Sequence, residues 1–283
     1  MALIRRVGTN QDDTLYGRNS GSNYSEWFLG RDGDDEIYAG LGDDRVDGEK
    51  GHDRLFGDEG VDTMYGGAGN DVLDGGPDNN FLSGGPGNDT LYGGYEGADD
   101  LLGGDGNDVL SGGFGHERLW GGDGDDKLHA GHGDLDGGTG SDVLYSWLIG
   151  PDIRGHDSWS NPTGTFAWVN QRGGIGADQF HVEGFADGTA SWADIHDFRS
   201  GEGDKVSLTQ SFGPNTGQYL DAGATFAALD THGSDGREGG DGRLDAADAA
   251  VSHDGRALWV DVADGDHVLF WGVQSLAATD FIV

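Results

Sequence analysis

Residues 66–94 read GGAGNDVLDGGPDNNFLSGGPGNDTLYGG: glycine, aspartate and asparagine for most of their length, with one leucine in each nine residues, Leu73, Leu82 and Leu91. The same nonapeptide extends in both directions. From Gly30 it runs GRDGDDEIY, AGLGDDRVD, GEKGHDRLF and GDEGVDTMY into the quoted stretch. Beyond that stretch come a ten-residue GGYEGADDLL, then GGDGNDVLS, GGFGHERLW, GGDGDDKLH, a shortened AGHGDLD, and GGTGSDVLY ending at Tyr145. Partial copies stand at Gly8 (GTNQDDTLY) and Gly173 (GGIGADQFH). The eighth position is apolar throughout (Leu15, Ile37, Val46, Leu55, Met64, Leu73, Leu82, Leu91, Leu101, Leu110, Leu119, Leu128, Leu144, Phe180), and the sixth is nearly always Asp. A merely disordered acidic tract would have no reason to keep one position apolar at a fixed period.

The composition makes that period necessary. The 283 residues include 57 Gly, and 52 Asp plus Glu against 16 Lys plus Arg give a formal net charge of -36. So little apolar surface under so much like charge does not offset the entropy of ordering a chain. A polyanion is excluded as a partner, because no basic patch is present to neutralise phosphates, so nucleic acid is not predicted. Cations are the natural counterpart. There is no Cys, hence neither a disulfide nor a thiolate metal site. No run of 18 apolar residues predicts a membrane span, and MALIRRVGTNQDD lacks the apolar core of a secretory signal peptide.

Strand alternation predicts a three-residue strand at positions seven to nine with its middle residue inward, followed by six turn residues in which glycine supplies positive φ and close backbone approach. Two nonapeptides make one lap, and the laps stack as parallel strands. Stacking brings together the Asp residues of repeats n and n+2, whose repulsion a divalent cation reverses. Carboxylate and carbonyl oxygens suit Ca²⁺ rather than Zn²⁺ or Mg²⁺.

These nonapeptides resemble the calcium-binding repeats of the RTX (hemolysin-type) family, which implies an all-β fold, a parallel β-roll (right-handed β-solenoid) capped by a C-terminal antiparallel region. The resemblance also implies a ligand shell. In it the Asp and the second- and fourth-position carbonyls of one turn meet the Asp and the first- and third-position carbonyls two repeats later. One such site would join Gly67, Gly69 and Asp71 to Gly84, Pro86 and Asp89; another would join Gly104, Gly106 and Asp108 to Gly121, Asp123 and Asp126. By the same rule Asp35 pairs with Asp53, Asp44 with Asp62, Asp53 with Asp71, Asp89 with Asp108, and Asp126 with Asp142, each interior Asp bridging two ions. Asp99 and Asp178 complete the implied carboxylates. Further carbonyls are implied at Gly48, Gly57, Gly66, Gly103 and Gly137 in first positions, Gly85 and Gly122 in second, and Asp105 and Thr139 in third. In fourth positions they fall at Gly33, Gly42, Gly51, Gly60, Gly87 and Gly124. Departures stand at Asp78 and Asn80, at Glu117, at the extra Glu96 and in the shortened lap around Asp134. Residues 30–145 hold 28 acids and 6 Lys or Arg, so roughly eight to ten Ca²⁺ would offset their charge.

The chain divides by pattern into a cap with partial repeats (1–29), the repeat region (30–145), a Trp-rich insertion (146–172) and a C-terminal part (173–283). The insertion carries Trp147, Trp159 and Trp168, either a lid on the roll or a surface for sugar or protein. The same choice holds for an outward stripe of Tyr38, Phe56, Tyr92 and Tyr145. The C-terminal part is similar to that of serralysin-type proteins. Alternation in ALWVDV and HVLFWGV predicts antiparallel strands, the resemblance places possible calcium ligands at Asp194, Asp197 and Asp204, and Asp241, Gly242, Leu244 and Asp248 half match an EF-hand loop. The final DFIV looks like a type I secretion signal, implying the type I machinery of a Gram-negative bacterium and folding outside the cell in millimolar calcium.

No catalysis is predicted. The nearest approach to HExxH is HERLW at His116, inside a repeat, and there is no GxSxG. Three roles follow: a secreted structural, surface or adhesion component; an accessory module for a separate hydrolase or polysaccharide-modifying enzyme; or a small enzyme whose site uses His156 and Asp157 of the insertion.

Overall fold

The computed structural model describes residues 4–18, 24–113, 115–148, 167–185, 191–199, 202–211, 243–244, 251–253, 257–263, 266–271 and 276–277. Among them every regular element is a strand. The chain forms two compact units, Met1–Asp142 and Val143–Val283.

The first unit holds β1 (Ile4–Val7), β2 (Thr14–Arg18), β3 (Glu26–Asp32), β4 (Glu36–Leu41), β5 (Arg45–Lys50), β6 (Arg54–Glu59), β7 (Thr63–Ala68), β8 (Val72–Asp74), β9 (Phe81–Pro86), β10 (Thr90–Tyr92), β11 (Asp100–Asp105), β12 (Val109–Gly113), β13 (Glu117–Asp123), β14 (Lys127–Ala130) and β15 (Gly133–Thr139). Odd-numbered strands pair in order to make one parallel sheet and even-numbered strands the other, so each lap contributes one strand to each face of a flattened solenoid. The register stacks identical repeat positions. Phe28, Val46, Met64, Leu82, Leu101, Leu119 and Leu135 form one inward column, and Ile37, Leu55, Leu73, Leu91, Leu110 and Leu128 the other, all fully buried or nearly so. The core is thus two single files of apolar side chains, aliphatic except for Phe28.

Most strands are longer than the three residues predicted. In β7 the pleat continues from Thr63 to Ala68, with Met64 and Gly66 inward, so the first-position glycine belongs to the strand and only positions four to six turn. Two kinds of glycine result. At second and fourth positions, as at Gly67 (φ 111°) and Gly69 (φ 148°), the backbone lies in the region that favours glycine. The first-position Gly66 is needed for space instead: a Cβ there would stand 2.5 Å from Asp71 Oδ2 and 2.8 Å from the Gly84 carbonyl oxygen.

Irregular laps keep the core register. The ten-residue lap widens the Asp-to-Asp spacing to 19 and the shortened lap narrows it to 16, yet Leu101 and Leu135 still point inward. Length differences are absorbed in the turns, because a slip of one residue within a strand would turn its apolar side chain to solvent.

In the second unit β16 (Val143–Leu148), β18 (Gln179–Phe185) and β20 (Lys205–Ser211) pair in parallel. So do β17 (Ala167–Ile175), β19 (Ser191–Ile195) and β24 (Asp266–Trp271). Parallel pairing thus includes the repeat copy at Gly173 and extends beyond it to β20 and β24. Antiparallel pairing begins with β22 (Val251–His253), β23 (Ala257–Ala263) and β24, and recurs between β21 (Arg243–Leu244) and β25 (Leu276–Ala277). Phe180, Phe198 and Phe270 meet in this unit's core. Residues 149–166, which include Trp159, His156 and Asp157, lie outside the described residues, as do Asp241, Gly242, Asp248 and the final DFIV.

Candidate metal centre

Most laps end the turn with a sixth-position acid beside the next strand, Asn80 and the shortened lap at His132 being the exceptions, and the register stacks these residues along the two edges of the first unit. On one edge stand Asp13, Asp35, Asp53, Asp71, Asp89, Asp108, Asp126 and Asp142. Each Oδ1 from Asp35 onward accepts the backbone N–H of the Asp one lap earlier, at 2.7–2.8 Å. On the other edge Glu26, Asp44, Asp62, Asn80, Asp99 and Glu117 form the same ladder. Every Asp pair expected from the spacing is brought together. In each of these pairs Oδ1 of the later Asp accepts a backbone N–H.

The other carboxylate oxygen has no donor. Oδ2 of Asp35, Asp44, Asp53, Asp62, Asp71, Asp89, Asp99, Asp108, Asp126 and Asp142, with Oε1 of Glu117, are buried without a hydrogen-bond partner. None of these residues is more than 3% exposed. A buried unpaired carboxylate oxygen costs several kcal/mol, and here there are eleven. Burial accordingly pushes Asp44, Asp53, Asp62, Asp89, Asp99 and Asp126 up to about 7, Asp108 to about 6 and Glu117 to about 8, partly offset by the backbone hydrogen bond each accepts. Asp35 and Asp71 are raised for the same reason.

The orphaned oxygens face carbonyls. The Cβ position at Gly66 that meets Asp71 Oδ2 also meets the first-position carbonyl of the following lap, Gly84, and the same coincidence recurs at Gly48, Gly57, Gly103 and Gly121. Asn80 maps the rest of the cradle. Its Nδ2, at the place where Asp carries Oδ2, lies 3.3–3.5 Å from the carbonyl oxygens of Gly76, Pro77, Asp78 and Gly93. Among the described residues no three His, Cys, Asp or Glu side chains converge on one point. The donor set is therefore one carboxylate with several backbone oxygens, which fits a hard cation of high coordination number and leaves nothing for a soft metal.

The ladder ends differently. Asp13 Oδ2 accepts from the Thr9 N–H and hydroxyl, and Glu26 is closed by Arg6 and by the Arg18 N–H. In the second unit Asp178 is buried and donates its N–H to Asp204 Oδ1, while Asp204 Oδ2 accepts the Arg199 N–H. Asp197 accepts from the N–H groups of Gly173 and Gly174. Both oxygens of Asp197 and of Asp204 are thus tied to backbone N–H groups, whereas the ladder Asp residues of the first unit from Asp35 onward have only Oδ1 so tied. Asp194 pairs with Asn170 in the sheet, and its side chain lies outside the described residues.

Two features escape the repeat pattern. Glu26 occupies a sixth position behind a lap four residues longer than nine; its signal was the acid two residues before an apolar one in Glu26-Trp27-Phe28. Fifth-position side chains form an outer ladder, in which Asp12, Asp34, His52, Asn70, Asn88, Asn107 and Asp125 each accept the backbone N–H of the fifth residue one lap on. The recurrence of Asp and Asn there was the available sign.

The aromatic stripe is a stack. Tyr16, Tyr38 and Phe56 lie face to face at 5.3 and 4.8 Å, so their faces are used on one another. Register continues that column through Asp74 to Tyr92. Tyr145 belongs to the second unit and stacks on His181.

No curated protein matches the chain. The family model for the RTX calcium-binding nonapeptide repeat matches in four copies, over residues 20–55, 56–91, 74–110 and 93–128. Those residues contain most of both acid ladders. Residues 20–128 thus match the RTX calcium-binding nonapeptide repeat, and over that stretch the structure is a parallel β-roll.

Proposed function

We propose that this protein folds when calcium binds between its laps outside the cell, and serves there as a structural, surface or adhesion component rather than as a catalyst. The observation that carries the reading is the row of orphaned acid oxygens, each buried where carbonyls gather. Asp35, Asp53, Asp71, Asp89, Asp108, Asp126 and Asp142 would hold cations on one edge, and Asp44, Asp62, Asp99 and Glu117 on the other, each with carbonyls of its own turn and of the next first position. One ion per orphaned oxygen gives eleven, slightly above the number that charge balance predicts. Bound, the cation supplies charge compensation and ties adjacent turns; the chain supplies the pre-aligned oxygens and the leucine files.

Export in an unfolded state by a type I route accords with this chemistry, since the negative charge of the chain opposes closure until millimolar calcium is met. Anchoring a separate secreted enzyme is the alternative biological use of such a roll. The physical reading is tested by circular dichroism and small-angle scattering during calcium titration of chelated protein. The expected result at pH 8 is a change from an expanded chain to a compact β structure; a compact chain at that pH before calcium is added would refute it. A glycan array and a pull-down in millimolar calcium test the surface role.

A further inference from the structure

Along the edge that begins with Glu26, two ladder members have no orphaned oxygen. At Asn80, Oδ1 accepts the Asp62 N–H at 2.8 Å, which fixes the amide orientation and turns Nδ2 into the cradle of four carbonyls. At Glu26, Oε2 accepts the Arg18 N–H and Oε1 accepts both Nε and Nη2 of Arg6 at 3.1 and 3.0 Å. Both side chains are buried, and both rungs are satisfied by nitrogen donors of the chain itself.

We propose that the Asn80 amide, by donating to the carbonyl cradle, does the work a divalent cation does at the other rungs, so that the Asn80 rung, like the Arg6-closed Glu26 rung, forms without metal and divides this edge into two cation pairs, at Asp44 with Asp62 and at Asp99 with Glu117. This rests on the calcium reading above. An NH₂ group offers two donors to these carbonyl oxygens, and the neutral amide brings no negative charge for a cation to offset, so the Asn80 rung lacks the carboxylate that draws a cation at the other rungs. The opposite edge, from Asp35 to Asp142, has no such interruption among its orphaned oxygens. From Asp35 to Asp126 one edge therefore closes with each rung dependent on metal, while the other contains rungs that are complete beforehand.

The test counts calcium bound to the full chain by native mass spectrometry in saturating calcium, with thermal midpoints alongside. Asn80→Asp should bind one more equivalent than the parent, and Asp44→Asn one fewer. Asn80→Ala should keep the parent count with a lowered midpoint, which serves if Asn80→Asp does not fold. If Asn80→Asp leaves the count unchanged, or Asn80→Ala loses an equivalent, while Asp44→Asn loses one, the assignment of Asn80 is wrong and the calcium reading stands. If the parent chain binds no calcium, both fall.

Discussion

At the scale of single residues, the roll depends on what the backbone tolerates at second and fourth positions. Arg31 (φ 95°), Glu49 (φ 73°), Asp58 (φ 67°) and Asp78 (φ 77°) hold side chains at repeat positions where most laps have glycine. A non-glycine residue in this region costs on the order of 1 kcal/mol. Glu49→Gly should therefore raise stability by about 1 kcal/mol, read as a rise of a few degrees in the thermal midpoint in saturating calcium; an unchanged or lower midpoint would show the strain is not there. The sixth-position acids were legible one by one, as were the substitutions at Asn80 and Glu117. Whether their second oxygen is free was not legible, because the donor that satisfies it comes from another lap: Arg6 reaches Glu26 across 20 residues of sequence.

At the scale of the element, each strand is short and has one aliphatic side chain to bury, so no strand is stable alone. Parallel stacking turns these single contributions into a continuous file, with Met64, Leu82 and Leu101 in direct register. Leu82→Ala would leave a hole in a file one residue wide, flanked by laps that the ladders hold apart. A loss of roughly 2–5 kcal/mol is expected, measured by denaturant unfolding in calcium. A loss under about 1 kcal/mol would mean that neighbouring laps collapse into the gap. The inward leucines and the turn glycines were readable from the period of nine. The strand length was not: the inward first-position glycine looks like a turn residue in sequence, and it takes the stacked lap, with a carboxylate where its Cβ would be, to show that the pleat passes through it.

For the whole molecule the balance lies between like charge and what neutralises it. Proton and cation compete for the same oxygens. In the metal-free fold, burial raises these acids to about 7 for Asp44, Asp53, Asp62, Asp89, Asp99 and Asp126, well above the unfolded range near 4. The folded state then binds more protons than the unfolded one, so metal-free stability is greatest at low pH and is lost as pH rises from about 4 through 7. Chelated protein should accordingly show more β structure at pH 5 than at pH 8 by circular dichroism, and calcium affinity should rise over the same interval as protons leave. A chelated chain gaining order toward pH 8 would contradict the burial of these groups. The period of nine, the apolar eighth position and the excess of acid are properties of the sequence alone, and they were enough to require a stacked parallel roll that holds cations, since nothing else in the composition could compensate such charge. Which acids keep an unpaired oxygen was decided only by tertiary structure. The groups that decide it, such as Arg6 at Glu26 and the first-position carbonyl of the following lap beside Asp71, come from other laps and meet that oxygen only when the laps are stacked.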